Sequence, residues 1–281
     1  MSDESKFVAA VYRDNSIEVC EQLIAQGADI QRHGGKALER AAKIGNLELI
    51  IYLLDKNVYL ESYWWVVGYA VDNSRVVIVQ FLVDINKTGS HGIARGSIFK
   101  DTNEYIWRAL RAGQYSEDVM DILVKNGGPD TKNIISDALS GVVRYSNEFY
   151  IVKSLVERYG ADVTFGGGNA ISYAAEYGAY ESVKYFLYIS PELINVPSSL
   201  YRAAEAGKFR VIKLLVERGA EIIIEDADVG CFCPFFPLLL SKEYEMLEYL
   251  LEKCELSQLE KFVEKHHFPE IVAHIAKRRE I

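Results

Sequence analysis

One repeated phrase constrains this chain more than any other feature: an apolar residue, two variable residues, a small pair, two more variable residues and a glycine. The clearest copies begin at Leu38, Ile106, Ile171 and Leu200. Their glycines are Gly45, Gly113, Gly178 and Gly207. Self-similarity of this kind means that each unit buries its apolar face only against its neighbours. The phrase therefore predicts a repeat array, and it disfavours an enzyme.

The second half of each unit is an apolar stretch, such as 46–54 or 211–216, that predicts a helix buried on most sides. Small pairs such as Ala41-Ala42 let two antiparallel helices approach closely, and the glycine tolerates the turn between them. The second helices are predicted to end at Gly27-Ala-Asp29, Gly160-Ala-Asp162 and Gly219-Ala-Glu221. There the acidic residue can accept a bond from its own turn, and Ile30 leads into the next unit.

The spacing of the glycines gives the period. Gly178 and Gly207 are 29 residues apart, and the two longer glycine intervals, of 65 and 68 residues, each hold two units. A period of 29 to 34 residues, paired helices and a glycine-acidic close resemble ankyrin repeats from about Phe7 to Cys254. Tetratricopeptide and HEAT arrays also pair helices, but the former have a different anchoring pattern and HEAT units are longer.

The resemblance is to a divergent form of the family. The Thr-Pro-Leu-His opening of consensus ankyrin repeats is replaced, for example by Lys36-Ala-Leu-Glu39. Degenerate and rich in tyrosine, the pattern is similar to the ankyrin proteins that large DNA viruses and some intracellular bacteria carry in expanded families. The resemblance implies an all-α ankyrin-repeat solenoid of about eight helix-hairpin units with short fingers and a helical C-terminal cap, residues 255–281. The units of the array, residues 1–254, lie near 7–30, 36–60, 64–85, 104–128, 132–163, 169–189, 198–222 and 234–254.

Two longer connections interrupt the period, between Leu82 and Ile106 and between Val216 and Phe235. Insertions in repeat arrays usually form loops on one face. The first contains a Gly-rich stretch at 86–96 that predicts a mobile loop. The second contains an apolar stretch at 231–237 that is stiffened by prolines.

Composition narrows the choice of partners. A formal net charge of −9 disfavours general binding to nucleic acid, because such binding needs a basic surface. The acidic start at residues 1–7 does not resemble a signal peptide, and no apolar run is long enough for a membrane span. Four cysteines, unevenly placed, fit a reducing compartment. We therefore expect a monomeric, intracellular, cytoplasmic protein, in the host cytoplasm if the source is viral, that binds neither nucleic acid nor membrane.

Metal, phosphate and catalytic sites find little support in the sequence. A metal site could be assembled from Cys231, Cys233, Cys254, His266 and His267. However, Cys231-x-Cys233 is one residue shorter than the usual zinc spacing, and the adjacent histidines cannot easily both face one ion. Gly166-Gly-Gly-Asn169 lacks the preceding strand and following lysine of a phosphate loop, so it predicts a flexible finger. No cofactor, metal or catalytic residue is predicted.

The remaining candidate is the surface of the first helix in each unit. In the family that this chain resembles, the positions one before the anchor and two, five and six after it line a concave groove. Aromatic and arginine side chains there would dominate binding of another protein. The predicted partner-binding residues are Arg40, Lys43, Trp65, Tyr105, Arg108, Arg111, Tyr173, Tyr177, Arg202 and Glu205. The alternative is that these are solvated helix positions, some of them packed between adjacent first helices.

The predicted function is thus non-catalytic: a scaffold that binds a partner protein through the concave face. A first alternative is an adaptor that links a host target to a ubiquitin ligase through the segment after Cys254. A second is an enzyme embedded in the array, which would need clustered titratable residues in a closed pocket.

Overall fold

The structure is a computed structural model, and it describes residues 16–58, 64–91, 102–111, 115–145, 148–224, 233–266 and 268–279. Over these ranges the chain is all-helical and contains no strand, as the repeat predicts. It divides into two compact units, Met1–Ile134 and Ile135–Ile281, each of which is considered by itself. The first copy of the repeat, from Phe7, lies outside the described residues up to position 15.

The described helices of the first unit are α1 (Ile17–Ala25), α2 (Ile30–Ile44), α3 (Leu47–Asp55), α4 (Trp64–Asp72), α5 (Val76–Thr88), α6 (Thr102–Arg111) and α7 (Glu117–Lys125). Helix α8 (Thr131–Tyr145) crosses the boundary between the units.

The second unit continues with α9 (Phe149–Glu157), α10 (Phe165–Tyr177), α11 (Tyr180–Ile189), a 3-10 helix (Pro191–Asn195), α12 (Pro197–Glu205), α13 (Phe209–Glu217), α14 (Phe235–Ser241), α15 (Tyr244–Lys253), α16 (Leu256–Lys265) and α17 (Pro269–Arg279).

The helices of each unit form two rows. We call α2, α4, α6, α8, α10, α12 and α14 the first helices, and α1, α3, α5, α7, α9, α11, α13 and α15 the second helices. In the first unit α4 contacts both α2 and α6, while α1 packs on α3 and α5 packs on α7. In the second unit α12 contacts both α10 and α14, and α11 contacts both α9 and α13. Within a hairpin the first helix packs on the second, as in α2 and α3 or α12 and α13.

The small pairs and the turns after them behave as the sequence predicts. Ala41 and Ala42 are fully buried, where a larger side chain would push the helices apart. At the end of α2, Gly45 has a φ of 95° and the N–H of Asn46 donates to the carbonyl oxygen of Ala41 at 2.9 Å. The equivalent bond of α12, from Lys208 N–H to the Ala203 carbonyl, measures 2.8 Å. These bonds satisfy carbonyls that a helix end would leave free.

The same turn forms in copies that lack the glycine. Ser74 and Lys242 take its place with φ values of 52° and 61°, in the region that glycine tolerates best. The N–H of Arg75 donates to the Ala70 carbonyl at 2.8 Å, which is the bond seen in the glycine copies. The degenerate repeats near 64–85 and 234–254 therefore keep the hairpin, although their sequences have lost the glycine of the turn.

A basic side chain from the following turn covers the glycine of the turn before it. Arg75 donates from Nε to the Lys43 carbonyl at 2.9 Å, and its Cδ lies 3.2 Å from where a Cβ on Gly45 would be. In the second unit Lys208 lies in the same way over Gly178, with its Cδ at 3.0 Å. Neighbouring hairpins are thus joined at their turns, because a basic side chain near a helix C-terminus meets exposed carbonyl oxygens.

Three expectations about connections are corrected. The unit predicted near 36–60 begins earlier, since α2 starts at Ile30, where the Asp29 carboxylate accepts from the backbone N–H groups of Gln31 at 2.9 Å and Arg32 at 3.3 Å. The first insertion starts as helix, since α5 continues to Thr88. The rest of that insertion, 92–101, and most of the second, 225–232, lie outside the described residues.

The third correction concerns the predicted finger at Gly166, Gly167 and Gly168. These residues have φ values of 65°, 71° and 86°, which residues other than glycine rarely adopt. They form a left-handed turn at the start of α10. A Cβ on Gly168 would lie 2.8 Å from Cγ2 of Val196. The glycines are therefore needed for a defined backbone turn and close packing.

Candidate functional site

In four repeats the residue directly before the anchor is buried, contrary to the expectation for a groove-lining position, whereas Trp65 at this position of α4 is half-buried. Ala37, Tyr105, Ala170 and Ser199 occupy this position in α2, α6, α10 and α12, and each is at most 2% exposed. Adjacent first helices pack against one another within each unit, and this position lies between them. The prediction that Tyr105 contacts a partner is therefore wrong, because its side chain is part of the core.

In the first unit, Arg108 is committed to carboxylates of its own chain. Its Nε donates to Asp72 Oδ1 at 3.0 Å, its Nη2 donates to Asp72 Oδ2, and its Nη1 donates to Glu104 at 3.2 Å. The hydrogen bonds to Asp72 raise the pKa of the Arg108 guanidinium above its ordinary value. Gly68 makes room for this guanidinium, since a Cβ there would lie 2.8 Å from Cζ. A bidentate pair of this kind is the strongest common geometry for arginine and carboxylate.

Lys43 is likewise engaged within the first unit. Its Nζ lies 2.7 Å from Glu39 Oε1 and 4.1 Å from the ring centroid of Tyr69. Although burial raises the pKa of the Glu39 carboxyl, hydrogen bonds from Lys43 and Lys36 outweigh that effect and lower it. Trp65 is half-buried with its ring edge-on to Tyr69, at a centroid distance of 5.9 Å.

Two further predicted residues of the first unit add little. Arg40 is half-buried in α2. The Arg111 side chain lies outside the described residues, although its backbone ends α6.

In the second unit, the structure brings Tyr173 together with two arginines. Cζ of Arg202 lies 5.1 Å from the ring centroid of Tyr173, and Cζ of Arg144 lies 5.5 Å from it. Arg202 also donates from Nη1 to Glu176 Oε2. The ring thus contacts guanidinium groups from α8 and α12, a favourable cation–π geometry in each case.

Tyr177 extends this group to solvent. It is 41% exposed, and its hydroxyl oxygen accepts from Nε of Arg144 at 3.3 Å. We refer to Arg144, Tyr173, Tyr177 and Arg202 as the tyrosine–arginine cluster. Glu205 is exposed on α12, where its carboxylate accepts from the Tyr201 hydroxyl at 3.4 Å.

Arg144 was missed by the sequence analysis, although a signal was present. It lies 33 residues before Tyr177, while Asp72 lies 36 residues before Arg108 and Glu176 lies 26 before Arg202. Each pair is about one repeat apart and joins adjacent first helices. A search for complementary residues 29 to 34 positions apart would have found the pair of Arg144 and Tyr177 but not the other two, whose spacings of 36 and 26 residues lie outside that period.

The described metal candidates, Cys233, Cys254 and His266, do not form a metal-binding group with one another. Across the described ranges, no three His, Cys, Asp or Glu side chains are grouped so that they could hold a metal ion. Cys233 and Cys254 are buried, and burial with the nearby Cys233 raises the pKa of the Cys254 thiol to about 12. His266 packs among Phe236, Phe262 and Phe268. Cys231 and His267 lie outside the described residues.

The C-terminal pair of helices is attached to the last hairpin. Helix α17 contacts α15, and Nη1 of Arg278 donates to the carbonyl oxygens of Cys254 at 2.9 Å and Leu251 at 3.2 Å. Arg279 bonds to Glu260 of α16 at 2.6 Å. Arg278 thereby satisfies carbonyls at the end of α15, as expected of a cap.

No protein-family model matches the chain, and a search of curated proteins found no match. Among the helices of the described ranges, none is long and apolar enough to cross a membrane.

Proposed function

We propose that this protein is a divergent ankyrin-repeat solenoid and that it binds another protein, without catalysis, through the first-helix surface of its second unit. The binding residues in this proposal are those of the tyrosine–arginine cluster. The proposed site is smaller than the predicted groove. The reason is that the predicted residues of the two units differ in how far their side chains are occupied by contacts within the chain.

The ankyrin part of the proposal is supported by the recurrence of local structure. Hairpins pair a small-residue first helix with an apolar second helix, and the same six-residue turn bond closes α2 and α12. Fingers are short, and Asp162, like Asp29, accepts a backbone bond after a glycine: the Thr164 N–H donates to its Oδ1 at 2.8 Å. These are the features from which the resemblance was drawn.

The observation that carries the binding proposal is the arrangement of Tyr173 and Tyr177. Tyr173 is held between Arg144 and Arg202, and Tyr177 is 41% exposed beside it. Rings that are fixed before binding lose little conformational entropy when a partner covers them. Tyrosine and arginine are also the residue types that most often dominate the energy of protein interfaces.

The test begins with affinity capture from cells, using the full-length chain as bait, followed by titration of each purified captured protein. We expect Tyr173→Ala combined with Tyr177→Ala to weaken binding at least tenfold, on the order of the loss of one interface hot spot. Tyr244→Ala is the matched control, because Tyr244 is a tyrosine of similar exposure, 47%, on a second helix. Circular dichroism would establish that each variant is folded. Equal binding by the wild type and the double variant would refute the proposal.

For the segment after Cys254, the contacts of Arg278 with the end of α15 favour the role of a structural cap rather than that of a ligase-recruiting element. The second-unit cluster therefore stands as the proposed site without a second candidate.

A further inference from the structure

Three of the four second helices of the second unit carry a column of lysines; the fourth, α15, has Glu248 at the equivalent position. Helices α9, α11 and α13 pack side by side, and the third and fourth residues of each are buried. The fifth residue, which faces solvent, is Lys153 in α9, Lys184 in α11 and Lys213 in α13. All three lysines are exposed. We call them the lysine column.

These lysines are weakly engaged within the chain. Lys153 Nζ lies 3.8 Å from Glu157 Oε1, and both side chains are more than half exposed, so the pair contributes little. Lys184 forms no ion pair with any residue in the described part of the chain. Lys213 Nζ lies over the ring of Phe209 at 4.3 Å, which orients its ammonium group without neutralising it.

Aromatic residues support the column from below. Phe149, Tyr180 and Phe209 are the first residues of α9, α11 and α13. Phe149 packs edge-on against Tyr185 of the next second helix, α11, with a centroid distance of 5.4 Å. Phe209 packs in the same way against Tyr249 of α15, at 5.7 Å. The lysines therefore project from a fixed aromatic surface.

The column is specific to the second unit. The equivalent fifth residues of α1, α3, α5 and α7 are Glu21, Ile51, Gln80 and Asp121. The hairpin fold does not require lysine there. Counted with the residues that cap both ends, α9, α11 and α13 carry seven basic and four acidic side chains, whereas the whole chain has a net charge of −9.

We propose that the lysine column binds an acidic, proline-rich segment of a partner protein in the polyproline II conformation. Packed helices typically lie about 8–10 Å apart, so lysines at equivalent positions of neighbouring helices are expected at a similar spacing. Polyproline II has three residues per turn and rises about 3.1 Å per residue, so carboxylates at every third position lie on one face about 9 Å apart. Exposed rings suit proline, and Tyr188, 81% exposed on α11, lies one turn beyond Lys184.

The test uses two fluorescein-labelled peptides of equal composition. One is five repeats of Glu-Pro-Pro, and the other has its five glutamates in one block. Fluorescence anisotropy with the full chain at low salt should show at least about fivefold tighter binding of the repeated peptide. Binding should weaken as salt is added, because exposed ion pairs are screened. Equal affinity for the two peptides, or no binding of either, would refute the proposal.

Charge reversal locates the site. Lys153→Glu, Lys184→Glu and Lys213→Glu combined should weaken binding of the repeated peptide at least about tenfold. The control is Lys56→Glu, Lys87→Glu and Lys125→Glu, three exposed lysines of the first unit that give the same change in net charge. An equal loss in both variants would mean that the net charge, not the column, determines binding. The Tyr173→Ala and Tyr177→Ala variant should bind the peptide normally, so this inference stands or fails separately from the proposed function.

Discussion

Arg108 in the first unit and Arg202 in the second occupy the same position of their repeats, yet they meet different neighbours. The residue at this position in the preceding first helix is Gly68 for Arg108 and Tyr173 for Arg202. Arg108 lies in the space that the absent side chain leaves and bonds to Asp72. Arg202 also bonds to an acidic residue of the preceding helix, Glu176, but it covers a tyrosine ring in doing so.

The difference teaches that an arginine on a repeat surface does not by itself mark a binding site. In both units the arginine first stabilises the contact between two repeats. In the second unit the contact of Arg202 also holds aromatic rings at the surface. This is because the equivalent residue of the preceding first helix is Tyr173, and Tyr177 follows it one turn later. The binding potential comes from the pair of neighbours.

The largest expected effect separates a core tyrosine of the first unit from a surface tyrosine of the second. Tyr105→Ala should lower the free energy of unfolding by about 3–5 kcal/mol, the usual cost of removing a buried aromatic side chain. Tyr177→Ala should cost less than about 1 kcal/mol, because the ring is largely solvated. Urea unfolding followed by circular dichroism measures both. Similar losses in the two variants would contradict the assignment of Tyr105 to the core and Tyr177 to the surface.

A smaller effect tests the neighbours of the two arginines directly. Ala at position 68 should stabilise α4 by about 1 kcal/mol when Arg108 is also Ala, because alanine is the better helix former. With Arg108 present, Gly68→Ala should be close to neutral, because its Cβ displaces the guanidinium. A double-mutant cycle measures this unfavourable coupling.

The matched cycle in the second unit uses Tyr173→Ala and Arg202→Ala. There the coupling should have the same sign and a size of about 0.5–1 kcal/mol, because the guanidinium and the ring attract each other. The two units should differ in the single substitutions: Gly68→Ala is expected to be close to neutral, whereas Tyr173→Ala removes a favourable contact and should destabilise. Equal changes in stability for Gly68→Ala and Tyr173→Ala, each with its arginine present, would show that the neighbour is not what distinguishes the two units.

The smallest effect concerns pH and the first unit. The two lysines lower the pKa of Glu39 in the folded state, so folding favours its charged form. This contribution is present above the ordinary value of 4.5 and is lost as the pH falls through the lowered folded-state pKa. Glu39→Gln should therefore reduce stability at pH 7 and flatten its decline in acid. Glu205→Gln, which changes an exposed carboxylate of the second unit, is the control, and an equal flattening there would contradict the role of the lysines.

Much of the local fold could be predicted because it depends on residues close in sequence. Ala41 and Ala42 are buried and Gly45 adopts the left-handed turn, as the repeated phrase indicates. The degenerate copies were also located, since apolar spacing survives where Ser74 replaces glycine. The start of α2 at Ile30 was not predicted, because the unit was placed near 36–60 from the repeated phrase, whereas the Asp29 cap starts the helix earlier.

The candidate site could be predicted only in part. The sequence selected Tyr173, Tyr177 and Arg202 by position, but it did not select Arg144, whose role depends on a neighbour one repeat away. It also treated Tyr105 as exposed, although the position before the anchor is covered by the adjacent first helix. Both errors arise where one repeat meets the next.

The sequence by itself determined the helical class, the hairpins and the turns between them, because these follow from apolar spacing, small residues and backbone preferences within a few residues. Only the tertiary structure decided which polar side chains are used between repeats and which remain at the surface. Packing of adjacent helices brings together residues about thirty positions apart, such as Asp72 and Arg108, which are 36 residues apart. Whether a charged or aromatic side chain is free to meet a partner depends on that distant neighbour.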